Sequence, residues 1–296
     1  MKTRVSKAID ILKRIFINNA MFDETLRFRR KFLRVEGNLA KIGVFFVVVF
    51  YLCILFMFFN NHINASSFIV YLELTVVVFT LPLSIYGAIS EEKEKGTWEA
   101  LILTRLSSAQ IVAGKALWRV GLLLLIMTLH YFAGIASILG ERYSNVYVVD
   151  PLFYYRLSED FGRLTYAQAP IFTFGLLLIT FGLTISSRTN KSITSLGVII
   201  VIMLFILAFM PMIASIIFSG AGSGEAVFMN CYNPYFLIAE ILNNSSSNDK
   251  DILTVEIVKY MCFAYLWLSI GFTYLSYSNL VKMSVPFIRL KKHAKN

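Results

Sequence analysis

The chain has 296 residues, 57% of them hydrophobic and only 16% charged, with a mean hydropathy of +0.67; soluble domains carry about 25% charged residues, so a water-soluble globular enzyme or binding module is excluded. The net charge of +10 does not mark a nucleic-acid binder, because 23 of the 28 lysines and arginines fall in alternate loops. That distribution is the positive-inside pattern of a polytopic membrane protein.

Residues 1–41 hold 11 of these basic side chains. Val5, Ile9, Leu12 and Phe16 recur at steps of four, three and four among Lys2, Lys7, Lys13 and Arg14, which predicts an amphipathic helix on the inner leaflet. The basic run 27–34 follows, as topological anchoring or as a seat for a partner on the cytoplasmic face. Six apolar runs come next, near 42–59, 68–89, 120–139, 171–186, 193–218 and 257–281. Each is close to the ~17–25 residues a helix needs to cross hydrocarbon. The expected fold is an all-α polytopic membrane protein: a basic cytoplasmic segment 1–41, a six-helix transmembrane domain 42–281 and a basic cytoplasmic tail 282–296. The positive-inside rule puts both termini and the 90–119 loop in the cytoplasm. Because the first 41 residues are charged and the first long apolar run is a full span, insertion through that span without a cleavable leader is expected.

The loop after the second run reads SEEKEKGTWEALILTRLSSAQIVAGK over 90–115. Its mixed charges, Glu91 to Lys95, continue the second span as a cytoplasmic extension whose signs pair along one helix. Gly96 loosens that helix. A short amphipathic helix over 97–103 then places Trp98, Leu101 and Ile102 on one side, at i, i+3 and i+4. On so charged a loop those three need cover, from the lipid interface or from a protein partner. Ser107 as N-cap and Gln110 at N3 form a capping box that opens the helix of the third span.

Within the spans, apart from Lys259 at the outer edge of the sixth, the ionisable candidates are Glu73 and His130, and such residues are costly enough to be functional candidates. Glu73, six residues into the second span near its outer end, is read as interfacial and within reach of water, ahead of a substrate contact. His130 is read as hydrogen-bonded to a neighbouring helix. Pro82 and Pro211 lie inside spans two and five, as static bends or as hinges, whereas Pro170 opens the fourth span. Between spans five and six, Asn233 and Pro234 open a short apolar stretch that reads as a helix at or dipping into the outer interface. Cys53, Cys231 and Cys262 have no metal-ligand spacing. His62, His130 and His293 are scattered, and AQIVAGKA at 109–116 lacks the first glycine and the final hydroxyl residue of a phosphate loop. No catalytic set and no cofactor or metal of its own is expected of this chain.

The stretch EEKEKGTWEALILTRLSSAQIVAGKALW resembles the cytoplasmic segment of ABC-2 type transporter permeases, through Glu92, Glu94, Lys95, Gly96, Thr97, Glu99, Leu106, Ser107, Gly114 and Lys115. Trp98 stands where a leucine is usual in that family, and Arg105 where a proline is common. ETLRFRRKF ahead of the first span and Asn233-Pro234 ahead of the sixth agree more loosely. The resemblance implies a non-catalytic permease subunit of an ATP-driven exporter in a bacterial cytoplasmic membrane. It would pair with a second permease, identical or homologous, amid membrane lipids, and would dock on two separate ATPase subunits that hold ATP and Mg. Glu92, Glu94, Lys95, Gly96, Thr97, Trp98, Glu99, Leu101 and Ile102 would form the coupling element, with Trp98, Leu101 and Ile102 in a groove of the ATPase. A rigid extension of span two would carry ATP-driven motion into the bundle. The alternative is a six-span secondary transporter or channel without an ATPase, disfavoured by the sparse intramembrane charge. A membrane enzyme is disfavoured by the absent catalytic constellations.

Overall fold

The computed structural model describes residues 65–103, 106–144, 153–209, 212, 232–243 and 248–293. The N-terminal segment 1–41, the expected first span 42–59, Cys53, His62, Arg105, Pro211 and Cys231 lie outside the described residues. Every element described is helical: α1 (Ala65–Ile85), α2 (Ser90–Glu94), α3 (Trp98–Leu103), α4 (Ser108–Ser144), α5 (Phe153–Arg188), α6 (Ser192–Leu204), α7 (Pro234–Asn243) and α8 (Asn248–His293). One π-helical turn, Phe205–Phe209, prolongs α6. Among the described residues five stretches are long and apolar enough to cross a membrane: Ser66–Glu94, Ser108–Gly140, Leu157–Arg188, Ser192–Phe209 and Val255–Ser284. They overlap the second to sixth expected spans and are the make-up of a multi-pass membrane protein. Helices serve because hydrocarbon offers no partner to a backbone N–H or C=O, so each must be satisfied within its own segment.

Helix α5 is the central post and packs against α1, α4, α7 and α8. Of its apolar window 67% is buried, against 17% for those of α6 and α8, so these two flank the core rather than fill it. Ile171, Ile179 and Leu183 of α5 meet Leu74, Leu81 and Ile85 of α1 and Leu123 of α4 in one buried cluster. Close approach depends on Gly182, where a Cβ would overlap Ile85 Cγ2. The α5–α8 seam carries edge-on ring pairs, Phe174–Tyr265 and Phe181–Phe272, each 5.4 Å between centroids. Across it, Tyr166 Oη donates to the Val255 carbonyl at 3.0 Å and Thr184 Oγ1 to that of Phe272 at 2.9 Å.

Two expected boundaries are corrected. Pro170 does not open the fourth helix, because α5 already starts at Phe153 and carries Pro170 in its interior. The polar residues ahead of it read as loop, yet they continue the helix, as the Glu159–Arg163 pair at 2.5 Å on successive turns shows. Nor does the second span run straight into its charged extension. α1 stops at Ile85, just past Pro82, and residues 86–89 turn before α2 starts at Ser90. The bond that Pro82 cannot make lies one turn before it, and its own carbonyl still accepts the Tyr86 N–H at 3.1 Å; past Ile85 the end closes tightly, with Ala88 N donating to the Ile85 carbonyl at 2.9 Å. The Ser84 carbonyl is thereby left for a side chain.

Candidate functional site

The charged run after span two gathers four helix ends. Ile89 gives α2 no side-chain cap, and Ser186 from α5 supplies one. Its Oγ accepts the N–H groups of Ile89 at 2.9 Å and Ser90 at 3.0 Å, two donors that every helix start leaves without an internal partner. Lys93 Nζ donates to the carbonyls of Ser187 (2.5 Å) and Thr189 (3.2 Å), at the C-terminal end of α5. Glu94 carboxylate accepts both the N–H and the hydroxyl of Ser192, at 3.0 and 2.6 Å, and so caps α6, whose own N-cap residue Lys191 provides no side-chain bond. A cation thus sits at a helix C-terminus and an anion at a helix N-terminus, the signs that the peptide dipoles favour. Only Glu91 and Lys95 pair along α2 itself, at 2.6 Å on its exposed side, and that bond holds the Lys95 ammonium pKa above its ordinary value.

The run is also tied to α4. Glu92 forms an ion pair with Lys115, whose side chains are 23% and 13% exposed respectively. One turn further along α4, buried Arg119 donates from Nη2 (2.9 Å) and Nε (3.2 Å) to the Ser84 carbonyl and from Nη1 to that of Lys115 (2.5 Å). The orphan acceptor left by the break after Pro82 is therefore satisfied by a guanidinium. Gly114 lies buried beside this contact region of α4. The start of α4 is the capping box the sequence spells. Gln110 Oε1 accepts the Ser107 N–H at 2.8 Å, and the Gln110 N–H reaches Ser107 Oγ at 3.3 Å.

Gly96 ends α2 in the left-handed region, at φ 70°, a conformation that costs other residues about 1–2 kcal/mol. Its N–H donates to the Lys93 carbonyl at 3.1 Å, and Thr97 Oγ1 takes the Glu92 carbonyl at 3.2 Å, so the last turn is closed from the C-terminal side. The chain then reverses into α3, which is amphipathic as expected but is turned the other way from the expected docking pose. Trp98 is 8% exposed and belongs to the core of this chain, with Leu101 and Ile102 packed half-buried against it. Trp98 therefore needs no external cover. Glu99, Ala100 and Leu103 form the outer side of α3, with Leu103 57% exposed.

At the opposite end of the bundle, Asn233 Oδ1 accepts the Tyr235 N–H at 3.0 Å and Pro234 occupies the first turn of α7, a cap-then-proline start that needs no N–H at the proline. Asn233 Nδ2 reaches the Leu207 carbonyl in the π turn at 3.4 Å, and Tyr235 Oη bonds with Thr75 Oγ1 at 3.0 Å. Pro234, Leu237 and Ile238 are buried, so α7 dips into the bundle.

One intramembrane expectation is corrected: Glu73 does not reach water in this conformation, being 0% exposed. His130 Nδ1 donates at 2.7 Å to the Ile126 carbonyl of its own helix. Cys262 is a free thiol. Among the described residues no group of three or more His, Cys, Asp or Glu is placed to hold a metal ion.

Neither the known family models nor the curated proteins contain a match to this chain. The geometry therefore carries the functional argument. Beyond the residues the sequence singled out, it adds Lys93, Arg119, Ser186 and Ser192. Lys115 and Arg119 are spaced to share a face of α4, which is a local signal, whereas Ser186 and Ser192 are serines with nothing in their neighbourhood to mark them.

Proposed function

We propose that this chain is the permease subunit of an ABC-2 type exporter, with six spans, the first at 42–59, and with both termini in the cytoplasm of a bacterial cell. Two permease subunits, identical or homologous, would work with two separate ATPase subunits that bind ATP and Mg. Cargo would cross by alternating access as ATP-driven closure of the ATPases moves α3. The observation that supports this reading is the placement of α3, a six-residue helix with one side seated on its own bundle and the other exposed. It is carried by a five-residue segment that holds the ends of α4, α5 and α6 together. An element built to receive a push and distribute it to several spans has this form. The partner-facing side is Glu99, Ala100 and Leu103, while Glu92, Glu94, Lys95, Gly96 and Thr97 fix its position and Ser107, Gln110, Gly114 and Lys115 take the load into α4.

Mild-detergent purification of the tagged chain, expressed with its neighbouring genes, followed by mass spectrometry of the intact complex, tests this. Two ATPases with two permeases are expected, and Leu103→Asp is expected to lose the ATPases while the permease stays folded. A chain that purifies without an ATPase under every nucleotide condition overturns the proposal. One observation favours the second reading, a secondary transporter or channel: the fully buried Glu73. A proton- or sodium-dependent flux through the chain alone would select it.

A further inference from the structure

The buried carboxyl of Glu73 has no part in the coupling element described above. It projects from α1 with no exposed surface. Its Oε2 accepts a hydrogen bond of 2.9 Å from Gln168 Nε2 on α5, whereas its Oε1 is buried without a hydrogen-bond partner among the described residues. One turn to either side on α1 stand Val70 and Val77, and around Gln168 on α5 stand Leu164, Ala167 and Ile171, all of them buried. A buried polar atom left without a partner costs about 1–3 kcal/mol, and an ionisable residue in a span carries an insertion cost of its own. A glutamine or a leucine would avoid the charge, and a ligand would account for the unpartnered oxygen.

The surroundings restrict which ligand. In the ionised form Oε1 is an acceptor, and a ligand that brings a positive charge favours that form. Among the described residues Glu73 has no ion-pair partner: Glu91 and Lys95 pair with each other, Glu92 with Lys115, and Glu159 with Arg163. A calcium ion requires about six to eight oxygen ligands and magnesium a near-octahedral shell, which one carboxyl and one carboxamide amid valine, leucine, alanine and isoleucine do not provide. An alkyl-substituted ammonium satisfies both halves of the site, because its charge pairs with the carboxylate and its substituents lie against the apolar wall. We propose that Glu73, oriented by Gln168, is the seat for an organic ammonium group within the membrane. This deepens the exporter reading by naming the charged group of its cargo and rests on that reading only in calling the ligand cargo. The seat is closed in this conformation, so the ligand enters when α1 and α5 part. The ammonium has two sources, a membrane aminophospholipid or a water-soluble amine.

The test uses the full chain in phosphatidylglycerol nanodiscs, wild type and Glu73→Gln, which keeps size and the capacity to bond Gln168. Retention of phosphatidylethanolamine is counted by native mass spectrometry, and n-octylammonium is titrated beside n-octanol as the uncharged control of equal length. Saturable binding of at least one ammonium probe is expected, weakened tenfold or more in Glu73→Gln, with octanol unchanged. The lipid arm saturating assigns the headgroup source, and the octylammonium arm the soluble one. Affinities within twofold for both ammonium probes in the two proteins, or no saturation by either probe, overturns the seat. If Glu73→Gln does not fold, Glu73→Asp replaces it, with weaker ammonium binding and unchanged octanol binding expected, and equal ammonium affinity overturning the proposal. No ATPase enters the assay, so its outcome is separate from that of the purification above.

Discussion

Trp98→Ala separates the two ways in which α3 can face. If Trp98 were the docking residue, its loss would leave the permease as stable as before and weaken a partner contact. The structure places it 8% exposed in the core, so its loss opens a cavity. A tryptophan buries about 150–250 Å², which at about 25 cal/mol per Å² corresponds to roughly 4–6 kcal/mol of transfer free energy as an upper bound. Measured Trp→Ala changes in cores cost about 3–5 kcal/mol. Helix α3 has six residues and can settle inward over part of the void, so the lower end, about 3 kcal/mol, is expected here. At about 2–4 °C per kcal/mol for a chain near this size, the midpoint for loss of the monodisperse peak on heating falls by ~6–12 °C. The assay is size-exclusion chromatography of detergent-solubilised protein after a temperature series. Leu103→Ala, at 57% exposure, is the control and is expected to change stability by no more than about 0.5 kcal/mol. A Trp98→Ala protein with an unchanged midpoint, and a Leu103→Ala protein that melts early, would refute the orientation of α3 described above.

Three further perturbations address the knot and its packing. In a double-mutant cycle of Glu92→Gln with Lys115→Met, read by the same thermal series, a coupling of about 1 kcal/mol is expected for a pair this enclosed; additive effects would mean that the pair does not form. Ser186→Ala strips the cap from α2 and leaves two buried N–H groups unpaired, with an expected cost of about 1–3 kcal/mol, and amide exchange at Ile89 and Ser90 is expected to quicken; unchanged exchange there would count against the cap. Gly182→Ala forces α1 and α5 apart at Ile85, with an expected loss of about 1–3 kcal/mol, and the double substitution with Ile85→Ala, which removes the clashing Cγ2, is expected to cost less than the two single losses together; a neutral Gly182→Ala would contradict the close approach.

Local signals in the sequence translated well into structure. The capping box at Ser107 and Gln110 needs only residues three apart, and both of its bonds form. The apolar runs located five membrane-length helices because crossing hydrocarbon demands length and little else. What stayed hidden depends on which body covers a surface. The i, i+3, i+4 stripe of Trp98, Leu101 and Ile102 says that these share a face, but not that the chain's own bundle lies beneath it. The position of Glu73 along its run suggested water nearby, yet its burial is set by which side of α1 turns toward α5. Polar residues ahead of Pro170 looked like a loop because helix and loop in water draw on the same residue types, and only the continuing backbone ladder separates them.

The charged run shows most clearly what pattern alone leaves out. Mixed signs along five residues suggested pairs within one helix, and one such pair exists, but it is the exposed one. The other three charges reach residues far along the chain or on another helix. Their order follows from where they land: Lys93 meets carbonyls at the end of α5, and Glu94 meets the first N–H of α6, so exchanging the two would set each charge against the like end of a helix dipole. The turn at 86–89 removes the rigid lever that a straight extension of the second span would have provided. In the proposed exporter, force arriving at α3 therefore cannot travel up α1 as through a rod. It must pass through α2 into Lys115 on α4 and into the junction of α5 and α6, so that several spans begin to move together and α1 follows through its packing on α5.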